Sequence, residues 1–282
     1  MPLLAALPLY SAVAAYLAAS ALAFAYVRGS DARYLGFGKR LAGIANMLLF
    51  LVFLARWHEY RLLPLTGISD SLNLFLIFAT GIMVTVQRGE GMSPLLSFYL
   101  PALGLIALVS GAIAPAFANV PPRELHGAPL TIHVGLVTFG FALFFVASLT
   151  SVVYVFKARH LKQRKSTGLF HRIPSLERLD QILMRLMGMG YQFFGAALIF
   201  GFIWALADRE SVQPHWYISS HVVFALVVVL FFAALFHLRR FGLLRGTKLA
   251  YLVIGGFLFV LTTYITFGVL RASDYSFFEA AL

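Results

Sequence analysis

Eight long apolar runs dominate the chain: Leu3 to Val27, Leu41 to Trp57, Leu72 to Gln87, Pro94 to Ala118, Leu130 to Phe156, Ile182 to Ala207, Tyr217 to Leu238 and Leu249 to Leu270. A helix crossing about 30 Å of hydrocarbon needs about 20 mostly apolar residues. The runs therefore predict an all-α integral membrane protein with eight transmembrane helices. Composition supports this, because 61% hydrophobic and only 12% charged residues in a chain of 282 cannot coat a water-soluble particle of that size. A secreted enzyme, a nucleic-acid-binding module and a disordered tail are excluded on the same ground. The first run has no basic segment ahead of it and is too long for a signal-peptide core, so it is expected to remain as a span.

The basic residues fix an orientation. Seventeen of the 22 Lys and Arg fall on alternate connections: Arg28, Arg33, Lys39 and Arg40; then Arg88; then Lys157 to Arg178 with Arg185; then Arg239, Arg240, Arg245 and Lys248. The opposite side carries Arg56, Arg61, Arg123, Arg209 and Arg271. The positive-inside rule assigns the first set to the cytoplasm and both termini to the extracytoplasmic side. The +11 net charge is thus expected to serve topology, with no nucleic-acid partner. The basic segment from Lys157 to Arg178 reads as a topology determinant on an anionic leaflet. Phe170 is its only Phe, Tyr or Trp, too few for the interleaved aromatic residues that bind single strands.

Polar groups at membrane depth mark functional sites by default. The absence of cysteine rules out disulfides, iron–sulfur clusters and a covalently attached c-type haem. His160 and His171 belong to the basic segment, whereas His58, His126, His133, His215 and His221 lie at or near the outer face. His133 opens the fifth run with no charged neighbour in sequence. Its imidazole either hydrogen-bonds an adjacent helix or presents a nitrogen to a metal. His237 sits near the inner end of the seventh run, sixteen residues from His221, and about 24 Å of helix keeps those two from sharing an ion. His215, Trp216 and His221 cluster before the seventh run, where Trp216 and Tyr217 also suit an interfacial aromatic belt. Together with Arg123 and Arg209 this outer cluster supplies what a tetrapyrrole requires: an axial imidazole, a flat aromatic contact and cations for propionates.

Other chemistries lack their signatures. His58-Glu59-Tyr60-Arg61-Leu62 is not HExxH, and no phosphate loop, GxSxG elbow or dinucleotide fingerprint is present. Asp70 reads as a helix cap in preference to an ion-site ligand. Gly188-Met189-Gly190 reads as close helix packing rather than the helix break of a secondary transporter, the third functional reading.

Four pieces in chain order, over roughly residues 64 to 270, carry a family resemblance. They are Pro64-Leu65-Thr66-Gly67-Ile68-Ser69-Asp70-Ser71-Leu72; His133-Val134 with Phe139 to Ser151 and Tyr154; Leu179-Asp180, Arg185, Gly190, Gly201 and Trp204-Ala205; and His237-Leu238-Arg239, Gly246, Ala250-Tyr251 and Gly256-Phe257. These resemble the cytochrome c assembly family of membrane haem handlers, the CcsA/ResC group and its HemX-like relatives. The resemblance implies one polytopic membrane domain over residues 1–282 in a bacterial cytoplasmic (inner) membrane. It also implies non-covalent, b-type haem held or presented at the outer face for c-type cytochrome biogenesis, with no catalysis by the chain itself. His133 matches the family's first outer histidine, His237 a histidine of its later membrane helix, and Trp216 one tryptophan of its rich outer loop. The chain has Arg271-Ala272-Ser273-Asp274-Tyr275 where the second outer histidine would follow the last span, a departure that fits the HemX-like branch. His221 or His215 is the expected substitute ligand. The expected partners are membrane lipid and an assembly protein. The alternative is a regulator or scaffold that holds no stable haem and docks a tetrapyrrole-synthesis enzyme on its basic segment.

Overall fold

The computed structural model describes residues 3–29, 31–60, 68–89, 91–114, 128–163, 172–207, 217 and 220–278; of these, side chains are not described at 3–5, 59–60, 68, 128–131, 220–221 and 264–278. Each predicted run corresponds to one helix: α1 Leu3–Gly29, α2 Ala32–Tyr60, α3 Ile68–Val86, α4 Leu96–Ile113, α5 Ala128–Lys162, α6 Leu176–Ala207, α7 Ser220–Arg240 and α8 Gly246–Phe278. All eight are long and apolar enough to cross a membrane.

The helices outrun the apolar runs at the end of the bundle that carries most of the basic residues. The second begins at Ala32 and so includes Arg33, Lys39 and Arg40, which the sequence reading left in a loop. The expected basic loop from Lys157 to Arg178 shortens likewise, since α5 reaches Lys162 and α6 starts at Leu176. A helical backbone satisfies itself whatever its side chains are, and long basic side chains reach back to water from interfacial turns. Two caps set these starts. The Arg33 amide donates to Asp31 Oδ1 at 2.9 Å, which also holds that carboxyl below its ordinary range, and the Arg178 amide donates to Ser175 Oγ at 3.2 Å. At the other terminus, the backbone of residues 271–275 follows the last span as a continuation of α8.

The centre of the bundle is α5, the most buried span, packed on α3, α6 and α8. The first helix packs on α2 and α4, α3 joins that set to α5, and α7 closes against α6 and α8. Large apolar side chains such as Leu7, Met47 and Ile199 face outward, as acyl chains require. Inside, polar groups meet in pairs that tie helix to helix. Tyr16 and Thr80 oxygens lie 2.8 Å apart, and Tyr99 and Thr150 oxygens 2.7 Å apart. Asp180 pairs with Arg239, and Arg56 with Asp70. Without water in the hydrocarbon, each such group needs a protein partner.

Close approach of α5 and α6 depends on small residues. The latter runs unbroken through Gly188-Met189-Gly190, as the packing reading expected. A Cβ on Gly190 would stand 2.5 Å from Phe144 Cε1. The Phe144 ring is fully buried and stacked on Phe232 with centroids 3.7 Å apart, so it cannot retreat. Gly190→Ala is therefore expected to destabilise the protein by about 1–3 kcal/mol through overpacking. Gly36→Ala, with nothing within 4 Å of the added carbon, should leave thermal unfolding in detergent unchanged or slightly raised. Equal melting of the two variants would contradict this packing.

Candidate functional site

The site is built where α5 and α6 meet at the end opposite the basic one. His133 lies less than two turns into α5, and its side chain reaches α6 between Ala197 and Gly201, one helical turn apart. The imidazole Nδ1 is 2.6 Å from the Ala197 carbonyl oxygen. A carbonyl can only accept, so Nδ1 carries the proton and donates it, and Nε2 keeps a lone pair. Among the described residues Nε2 has no hydrogen-bond partner. The ring can reach that carbonyl because residue 201 has no side chain: a Cβ there would lie 2.7 Å from Nδ1 and 2.9 Å from Cε1.

One turn further along the same face of α6 stands Trp204. Its indole Nε1 is a buried donor with no hydrogen-bond partner among the described residues. Phe78 of α3, Phe139 of α5 and Phe193 of α6 form a chain of edge-to-face contacts with centroids 4.8 to 5.2 Å apart. The arrangement is an oriented imidazole with a free lone pair and, one turn along α6, an indole donor that is unsatisfied among the described residues. Such a set can bind a soft-edged, flat ligand carrying an electrophilic metal.

Helical register relates His133 to His221. The α5–α6 and α6–α7 pairs are antiparallel, since Gly140 meets Phe194 while His133 meets Gly201, and Gly195 meets Val229 while Gly188 meets Phe236. Helices α5 and α7 therefore run parallel, joined by the Phe144–Phe232 stack. His133 precedes Phe144 by eleven residues, and His221 precedes Phe232 by eleven. Eleven residues are about three turns and about 16 Å, so each histidine position returns to the face of its stacked phenylalanine at one common level.

The remaining expected site residues are distributed differently. His237 lies at the basic end of α7, exposed, with its ring 6.0 Å from Tyr191, 5.3 Å from Phe236 and 6.3 Å from Phe241 between centroids. Arg123, Arg209, His215 and Trp216 lie outside the described residues, as does the side chain of His221. Among the described residues no group of three or more His, Asp or Glu is placed to hold a metal ion. Sequence reasoning missed the Ala197 carbonyl, the Gly201 cradle and the orphan Trp204 donor. The signal available was the small-residue spacing Ala197–Gly201 opposite a histidine-led helix.

The family model described as cytochrome C assembly protein matches residues 6–273. The chain belongs to that family. The match extends well ahead of residue 64, where the resemblance read from the sequence began, and takes in α1 and α2. Among curated relatives, the cytochrome c biogenesis protein CcsA of Chlamydomonas reinhardtii is 25% identical over 261 residues, covering 85% of this chain and 68% of the relative. The CcsA protein of Parasynechococcus marenigrum is 25% identical over 282 residues, covering 91% of each chain. That of Synechococcus sp. (strain CC9902) is 25% identical over 273 residues, covering 88% of each. No solved structure matches the chain.

Proposed function

We propose that this protein binds haem non-covalently, as a b-type haem, near the outer face of a bacterial cytoplasmic membrane and presents it to a partner in cytochrome c assembly. The observation that carries the reading is the His133 bond to the Ala197 carbonyl, which fixes the tautomer and leaves Nε2 as a ligand nitrogen. Metal-binding histidines commonly donate their other ring nitrogen to a carbonyl in this way. A haem iron, with four positions already filled by the tetrapyrrole, requires only one or two protein imidazoles. His133 is the first of these. His221, at the same level by register, is the second, with His215 the substitute if the segment before α7 folds back. Trp204 and Trp216 offer indole contact, and Arg123 and Arg209 are the cations for propionates.

The names of the relatives favour an assembly role over the regulatory one. The positive-inside rule supports placing this site on the outer side, with both termini there. Bound haem supplies a redox-active iron; the chain orients it and makes no covalent bond. His237, at the far end of α7, would belong to a separate, inner site used during passage, or would simply hydrogen-bond a neighbour.

Absorbance spectra of the detergent-purified protein, oxidised and then reduced, test the proposal. Haem should co-purify or be taken up with a Soret band, and His133→Ala should reduce its occupancy at least tenfold while His237→Ala leaves it unchanged. A colourless protein that takes up no added haem overturns the reading, as does an undiminished Soret band in His133→Ala.

A further inference from the structure

At the basic end, a cleft of about 410 Å3 opens between the starts of α4 and α6, lined by Gly91, Met92, Arg172, Pro174, Ser175 and Arg178. Its volume falls within the range of small-ligand sites, about 300–1,000 Å3. Both walls are held in place. On one side, Gly91 takes a positive φ of 71°, a turn open to glycine, and the Met92 amide donates to the Gly89 carbonyl. On the other, Ile173 is buried and its carbonyl accepts from Lys157 of α5, which fixes the backbone between Arg172 and Ser175. The Arg178 guanidinium crosses the cleft, with Nη2 3.2 Å from where a Gly89 Cβ would stand.

Among the described residues, every charge lining this cleft is positive. Arg172 and Arg178 supply two guanidinium groups, and Glu177, the acid next to Arg178 in sequence, is exposed and not part of the lining. Helix α6 also begins here, and a helix start carries a partial positive charge. Planar guanidinium groups match phosphate oxygens in pairs. The spans of α4 and α6 start at Ser93 and Leu176, next to the lining residues, so the cleft lies at the depth where lipid headgroups end and acyl chains begin.

We propose that this cleft is a binding site for a phosphate group, supplied by the headgroup of an anionic phospholipid of the leaflet that faces the basic end. The site is independent of haem and lies at the opposite end of the bundle. It replaces a diffuse attraction of the whole basic segment to the leaflet with a defined pocket between two helices. By anchoring the starts of α4 and α6 to one lipid, it would fix the depth of the bundle in the membrane.

The test compares the full chain in nanodiscs of phosphatidylcholine containing a minor fraction of phosphatidylglycerol, with retained lipid read by native mass spectrometry. The wild type should retain phosphatidylglycerol over phosphatidylcholine, and the R172A/R178A double variant should lose at least tenfold of that retention. R28A/R40A removes two exposed arginines by the α1–α2 turn and should retain lipid within twofold of wild type. Because all four arginines are exposed, these variants are expected to fold, and unchanged melting checks this. Inorganic phosphate, added to discs of phosphatidylcholine alone and followed by 31P line broadening, separates the sources. Broadening that R172A/R178A abolishes keeps the phosphate site but reassigns it to a soluble ligand. The proposal is overturned if the wild type shows neither lipid selectivity nor phosphate binding, if R172A/R178A retains both, or if R28A/R40A loses as much as R172A/R178A.

Discussion

Removing Arg56 alone is expected to destabilise the protein by about 3–5 kcal/mol, and removing it together with Asp70 by much less. The two side chains are 9% and 7% exposed, and Arg56 Nη1 lies 2.8 Å from Asp70 Oδ1 between α2 and α3. Beside them Ser110 donates to Asn73 Oδ1 at 2.8 Å, with Ser69 adjacent, so the ends of α2, α3 and α4 opposite the basic end share one polar seam. Truncating Arg56 leaves the Asp70 carboxylate buried without the guanidinium that faces it. Replacing the pair by apolar residues of similar bulk, Arg56→Met with Asp70→Leu, removes both charges and their desolvation together. A double-mutant cycle on unfolding in detergent measures the difference. Additive single-variant effects, or single losses under about 1 kcal/mol, would show that the pair is solvated and not a tie between helices.

That pair also shows what could be read from the sequence and what could not. The eight spans were legible because apolarity over about 20 residues has no other stable outcome. Helix ends were less so: the apolar runs stop where Lys39, Arg40 and Lys157 begin, but helices do not, and the better signals were the caps Asp31 and Ser175. Asp70 read as a cap because its partner lies fourteen residues back across a connection, and nothing local distinguishes a capping carboxylate from one that receives Arg56. His133 was legible as a functional candidate from its isolation in an apolar run. Which of its nitrogens would be free was not, since that depends on Ala197 and Gly201, more than sixty residues away and set by how α5 packs on α6.

Gly201→Ala is expected to weaken haem binding by about 10- to 100-fold, the usual effect of disturbing the group that orients a ligand histidine. A methyl placed 2.7 Å from Nδ1 drives the ring off the Ala197 carbonyl, frees the tautomer and turns Nε2 away from its fixed direction. The same clash should lower stability by about 1–3 kcal/mol. Gly195→Ala, on the same helix with Val229 Cγ1 at 4.0 Å, should change neither property. The decisive step is to repeat Gly201→Ala in a His133→Ala background. With the imidazole gone the added methyl has room, so its stability loss should vanish if the clash with His133 is the cause. If Gly201→Ala is equally destabilising in both backgrounds, the glycine serves helix packing alone. If it binds haem as tightly as the wild type, the Ala197 bond does not set the direction of the ligand nitrogen.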